Sequence, residues 1–179
     1  AEVIKYALIM DASFLDWLED NHAKILAHDS QTLSEMVYRC CDYKAQVVAE
    51  DEKEVGRRAL LNFGHTFGHV IETHQGYGNW LHGAAVAVGM VQAAMMSERL
   101  GLIDKADVER VVRVLEMFDL PIAPPHIDID TALNLMGHDK KVKAGKIRLV
   151  LLRAIGDAFV TADFEPDTLI QVLSTPNHA

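Results

Sequence analysis

The chain has 179 residues, of which 50% are apolar and 24% charged, a composition that suits one good-sized globular domain and excludes disorder. Its 17 basic and 26 acidic residues leave a formal charge of −9, which argues against nucleic acid or an anionic membrane as partner, since both need clustered Lys and Arg. The longest apolar run, Ala84 to Met96, is interrupted by Ser97, Glu98 and Arg99 and falls short of the about 18 residues that a membrane span needs, so no membrane association is expected.

The sequence opens on Ala1-Glu2-Val3-Ile4-Lys5 with no initiator Met and no leader, and reads as a cytoplasmic fragment whose upstream part lies elsewhere. Glu2 to Met10 and Ala12 to Ala27 have helical composition, broken near Asp11. Ser30 is the expected N-cap of the next helix, because a serine hydroxyl can accept from the free N–H groups of a first turn. The spacing of Leu33, Met36, Val37, Cys40, Cys41, Tyr43, Val47 and Val48 predicts one long helix to Glu54 with a buried stripe, ended by Gly56. The adjacent Cys40 and Cys41 point in different directions on such a helix and cannot easily bridge, so both are expected as reduced, buried thiols.

Thr66 to His74 has helical spacing and stops at the turn signal Gly76-Tyr77-Gly78-Asn79. Gly83 to Leu100 reads as a central buried helix ended by Gly101, and Lys105 to Phe118 as an amphipathic one. Pro121, Pro124 and Pro125 mark an irregular connector before a short helix, Asp130 to Met136. Ile147 to Leu152 is a brief apolar run, broken only by Arg148 and including the β-branched Ile147 and Val150, and can pair with Phe159 and Val160 across Ile155-Gly156-Asp157 as a hairpin. A last helix is expected near Asp167 to Leu173. The fold class is therefore mainly α, a single multi-helical domain over residues 1–179 with a small β-hairpin.

Nine histidines invite a search for metal ligands. His65 and His69 are four apart and share a helix face with Glu72, so spacing alone suggests a site of two histidines and one carboxylate. Hydrogen-bonded or solvent-facing histidines are the other reading of that spacing. His82, just after the turn, could fold back toward His65. His22, His28, His74, His126 and His178 sit in polar or terminal contexts and are expected at the surface.

Gly64 and Gly68 flank the histidines where glycine weakens a helix by about 0.5–1 kcal/mol. They suggest close approach by a ligand, another helix or a second domain. Arg58, Asn62, His65 and His69, spaced near four, could face one pocket suited to an anionic, hydroxylated substrate. Five basic residues between Lys140 and Arg148 form either an anion site or a solvated turn. No Gly-x-Gly-x-x-Gly follows a strand and no Walker A loop is present, so the chain by itself is suited to a metal and an anion but not to a nucleotide.

The run Arg58-Ala-Leu-Leu-Asn-Phe-Gly-His-Thr-Phe-Gly-His-Val-Ile-Glu72, followed by Gly76-Tyr-Gly-Asn-Trp-Leu-His-Gly83, closely resembles the 3-dehydroquinate synthases, the common members of the sugar-phosphate cyclases. The likeness takes in Ala1 to Lys5, Lys44 to Val48, Asp51-Glu52, Asp139 to Lys141 and Arg148 to Leu152. It implies the multi-helical C-terminal domain of the dehydroquinate synthase-like fold. It also implies one zinc (or cobalt) held by Glu2, His65 and His82, which moves His69 to substrate contact and leaves Glu72 a structural residue. Substrate contacts fall on Lys5, Lys44, Arg58, Asn62, His69 and Lys140, with Lys5, Lys44 and His69 in the catalytic group.

The implied reaction, a step of the shikimate pathway toward aromatic amino acids, converts 3-deoxy-D-arabino-heptulosonate 7-phosphate to 3-dehydroquinate and phosphate. It needs NAD, bound mainly by an N-terminal domain that this chain lacks, so the fragment alone is expected to be inactive. A homodimer is expected for the full-length form. One departure is Ala84, where the family usually has Glu two residues after the second ligand histidine. The alternatives are another sugar-phosphate cyclase of secondary metabolism and a non-catalytic metal-binding helical domain.

Overall fold

The computed structural model describes residues 1–50, 56–76, 78–138 and 147–175. In chain order these form α1 (Glu2–Met10), α2 (Ala12–Leu26), α3 (Ser30–Glu50), a 3-10 helix (Arg57–Asn62), α4 (His65–Gln75), α5 (His82–Arg99), α6 (Lys105–Met117), α7 (Ile129–His138), β1 (Leu149–Ala154), β2 (Asp157–Thr161) and α8 (Pro166–Ser174). The mainly α class and the hairpin are as the sequence predicts.

α5 is the axis of the molecule. Its apolar residues run all round the helix, and Ala85 to Ala94 are continuously buried, which requires neighbours on every side. α4, α6, β1, α8 and α1 supply them. α5 ends at Gly101, where the Gly101 N–H bonds Glu98 O at 2.8 Å and the Leu102 N–H bonds Ser97 O at 3.0 Å, with Gly101 at φ +70°. This is the paired-bond ending that a left-handed residue after a helix allows.

α1 and α2 are separated by Asp11, whose extended backbone (φ −155°, ψ 100°) breaks the helix. Its Oδ1 accepts the N–H groups of Ser13 (2.8 Å) and Phe14 (3.2 Å) and so caps α2. The Tyr43 hydroxyl of α3 donates to the other oxygen at 2.5 Å. α2 is fastened to α6 by Arg110, which donates to Asp16 at 2.5 Å and to Glu19.

α3 departs from expectation in two ways. Its first turn is capped by Asp29, not Ser30: Asp29 Oδ1 accepts the Thr32 N–H at 2.8 Å and the Thr32 hydroxyl at 2.6 Å. The buried stripe is also narrower than predicted. Leu33, Met36, Cys40, Tyr43 and Val47, alternately three and four apart, face the core, whereas Val37 is 54% exposed and Cys41 and Val48 are also exposed. A helix on the edge of a domain needs only such a seam. Cys41 is therefore not the buried thiol expected, while half-buried Cys40 has its thiol pushed up to about 11 by burial and by Cys41 beside it.

The hairpin pairs Leu149 with Thr161 and Leu151 with Phe159, turning at Ile155-Gly156. Leu149 to Leu152 are all buried, and because successive residues point to opposite faces, both faces of β1 are covered. Ser97, fully buried in α5, joins the strand to the axis: its Oγ accepts the Leu152 N–H at 3.0 Å and donates to Ala93 O at 2.8 Å. At the hairpin tip, the Gly156 N–H donates to Leu8 O near the end of α1 at 2.9 Å. Gly156 has φ +90°, and a β-carbon there would stand 2.6 Å from Ala12 N, so only glycine fits. Among the described residues, no helix is long and apolar enough to cross a membrane.

Candidate metal centre

The centre is assembled where the N-terminal ends of three helices meet. Ala1 and Gly83 are adjacent, since a β-carbon at Gly83 would lie 3.6 Å from Ala1 Cβ, which brings the start of α1 against the start of α5. α4 reaches the same place because it packs backbone to backbone on α5. A β-carbon on Gly89 would sit 2.0 Å from Gly64 O, and one on Gly68 would sit 3.1 Å from Ala85 O. The close approach implied by Gly64 and Gly68 is therefore by another helix, α5. Gly64 also takes the left-handed conformation (φ +77°) that turns the chain into α4.

Glu2, His65 and His82 each offer a ligand atom, and these atoms lie within 4.8 Å of one another. His65 Nε2 is 3.8 Å from Glu2 Oε1, and the His65 and His82 ring centres are 5.2 Å apart. His65 Nδ1 is 3.1 Å from Phe63 O. A carbonyl only accepts, so Nδ1 carries the proton and Nε2 presents its lone pair.

Lys5 is 3% exposed, a burial that lysine tolerates only with a partner. Its Nζ donates to Glu2 Oε2 at 2.7 Å. Burial by itself would lift the Glu2 carboxyl, but the hydrogen bond and charge of Lys5, with His65 and His82 nearby, outweigh it and hold the group below its ordinary value. Glu2 thus stays ionised, as a ligand must. Two imidazole nitrogens and one carboxylate oxygen are donors that zinc and cobalt accept, and three protein donors leave positions open for substrate.

The triad suggested by spacing alone does not form. Among the described residues the set that comes together is Glu2, His65 and His82. His69 lies beside it, its ring centre 5.7 Å from His65 and 6.5 Å from His82. Glu72 instead accepts from His82 Nδ1 at 3.0 Å, a bond that reading Glu72 as merely structural misses. The seven-residue step from His65 puts it on the correct face, but only the path of the turn shows that His82 returns to it.

The other expected site residues are more scattered. Arg58 and Asn62 are half-buried on the 3-10 helix, which packs against α1, α3 and the hairpin. They are not on one helix with His65 and His69, because Gly64 redirects the chain between them. Lys44 is exposed on α3, beside the inward-facing Tyr43. Lys140 and the basic run from 139 to 146 lie outside the described residues. His28, His74 and His126 are exposed as expected, His22 is half-buried with Nδ1 2.9 Å from Glu19 O, and His178 lies outside the described residues.

Residues 1–142 match the family model for the 3-dehydroquinate synthase C-terminal domain. The chain is 64% identical over 174 residues to the 3-dehydroquinate synthase of Psychrobacter arcticus, covering 97% of this chain and 45% of that protein. It is 53% identical over 178 residues to that of Acinetobacter baumannii, covering 99% and 49%. Among solved structures, it resembles 2-epi-5-epi-valiolone synthase of Streptomyces hygroscopicus, solved with NAD+ and Zn2+ (TM-score 0.85, 26% identity, 96% of this chain and 48% of that one). It also resembles 2-deoxy-scyllo-inosose synthase, solved with carbaglucose-6-phosphate, NAD+ and Co2+ (TM-score 0.79, 26% identity, 96% and 50%). The chain spans about half the length of the curated relatives it matches. It belongs to the 3-dehydroquinate synthase family, whose C-terminal domain it represents.

Proposed function

We propose that this chain is the metal- and substrate-binding part of a 3-dehydroquinate synthase, a phosphorus–oxygen lyase that releases phosphate from 3-deoxy-D-arabino-heptulosonate 7-phosphate and closes the carbocycle of 3-dehydroquinate. The observation that carries the proposal is the convergence of Glu2, His65 and His82 within 4.8 Å, with Lys5 and His69 beside them. Glu2, His65 and His82 would hold zinc or cobalt, which when bound supplies Lewis-acid stabilisation of substrate oxygens.

The chain's own side chains account for the remainder of the proposal. Lys5 holds Glu2 through Oε2 and leaves Oε1 directed toward His65. His69 stands within reach of a substrate seated on the three ligands and is a candidate to hold or move a proton there. Arg58, Asn62, Lys44 and Lys140 supply the cationic and polar groups that a phosphorylated sugar acid requires. NAD would bind mainly to residues outside this chain, so turnover requires the intact protein.

The test is to supply the intact protein with NAD+, zinc or cobalt and the seven-carbon substrate, and to measure phosphate release together with 3-dehydroquinate. Release from that substrate is expected. Failure there, with release from another sugar phosphate, favours a different cyclase, a reading prompted by the likeness to the valiolone and inosose synthases. No release from any sugar phosphate while metal is bound favours the non-catalytic alternative.

A further inference from the structure

We infer that Glu72 is a positioning residue for the metal centre: it holds His82 in the tautomer that presents Nε2 to the ion. The inference rests on reading Glu2, His65 and His82 as metal ligands.

His82 is the first residue of α5, and its side chain is 50% exposed, whereas that of Glu72 is 13% exposed. An imidazole so placed would rotate freely and exchange its proton between both nitrogens. Glu72 Oε1 lies 3.0 Å from Nδ1, and an ionised carboxylate only accepts hydrogen bonds, so Nδ1 keeps the proton. The one nitrogen left to donate a lone pair is Nε2. His65 is arranged the same way by a different group, the Phe63 carbonyl. Both histidines are thus held at Nδ1, one by main chain and one by a carboxylate, the outer-shell partners that fix ring orientation and raise ligand basicity.

Two further observations give the carboxylate this task. α5 begins with no side-chain cap and no acidic residue in its first turn, so the positive end of its dipole has no anion of its own. Carboxylates from other helices, Glu72 of α4 and Glu2 of α1, instead meet its first residue, His82. The spacing between the two residues is set by a rigid contact, because α4 and α5 meet backbone to backbone at Gly64, Gly68 and Gly89. The turn between them does not have to hold it.

The experiment uses the intact protein, metal-free and then loaded with Co2+, as wild type, Glu72→Ala, Glu72→Gln and His82→Ala. Long-range proton–nitrogen correlation of the metal-free protein reads the His82 tautomer directly, its signals identified by their loss in His82→Ala. The Nδ1–H form is expected in wild type and a mixture in Glu72→Ala. Cobalt affinity, read by chelator competition and the visible d–d spectrum, is expected to fall about 10–100-fold in Glu72→Ala. Partial recovery is expected in Glu72→Gln, whose amide oxygen still accepts and whose shape keeps the fold. Unchanged tautomer and affinity in both Glu72 variants, with binding lost in His82→Ala, overturns the role of Glu72 alone. Wild-type cobalt binding in His82→Ala overturns the metal-centre reading itself.

Discussion

Gly89 of α5 lies directly against the carbonyl of Gly64, so close that a β-carbon on Gly89 would stand 2.0 Å from that oxygen and 2.9 Å from Gly68 N. These are backbone atoms and cannot swing aside. Gly89→Ala must therefore push α4 off α5, and it is expected to destabilise the protein by about 1–3 kcal/mol or more. Gly137 in α7 is the control: nothing lies within 4 Å of its would-be β-carbon, so Gly137→Ala should be neutral or stabilise by up to about 1 kcal/mol. Urea titrations of both variants check the contrast.

The ligand set makes a sharper claim. His82→Ala and Glu2→Gln are expected to reduce bound zinc to background after dialysis, whereas His69→Ala retains it and loses turnover. Zinc content per chain, measured beside activity, checks this. Zinc retained in His82→Ala and lost in His69→Ala would restore the triad of His65, His69 and Glu72.

Asp11 carries a pH dependence. Burial tends to raise its carboxyl, but the hydrogen bonds from Tyr43, Ser13 and Phe14 outweigh burial and hold it below its ordinary value. A group whose folded pKa is depressed adds stability above its unfolded pKa and loses it as pH falls through the folded value. The stability gap between wild type and Asp11→Asn, which can still cap α2, should be full near neutrality and shrink below about pH 4. Denaturant midpoints of the two proteins across that range check the sign.

Ser97→Ala tests the tie between axis and hairpin. It leaves the Leu152 N–H without its acceptor in a site where Ser97 is 0% exposed. The cost should be about 1–3 kcal/mol, read from the thermal or urea transition.

Much of this arrangement was legible in the sequence because it depends on local patterns. The apolar run from Ala84 fixes α5 as a buried axis, Gly101 stops it, and the apolar run Leu149 to Leu152 before Gly156 gives the hairpin. Capping was harder: Asp29 and Ser30 are both good caps, and the choice depends on which side chain meets the Thr32 N–H. On α3, Val37 and Val48 are as apolar as Val47, so only the position of the helix at the edge separates buried from exposed.

The site was legible as residue types but not as a group. Spacing along one helix favours His65, His69 and Glu72, whereas Glu2 and His82 come from other helices and meet His65 only through tertiary packing. Resemblance supplied that grouping. The role of Glu72 toward His82 depends on how α5 packs back against α4, which no periodicity along one helix predicts.

The bond from the Gly156 N–H to Leu8 O has a consequence for how the centre comes into being. It ties the hairpin to α1, the helix that carries Glu2 and Lys5. The loop it closes spans most of the sequence, and closures of that length come late, after their entropy has been offset by contacts formed earlier. His65 and His82, joined through neighbouring helices, can be in place while Glu2 is still adrift. Ion capture should thus trail secondary-structure formation during refolding.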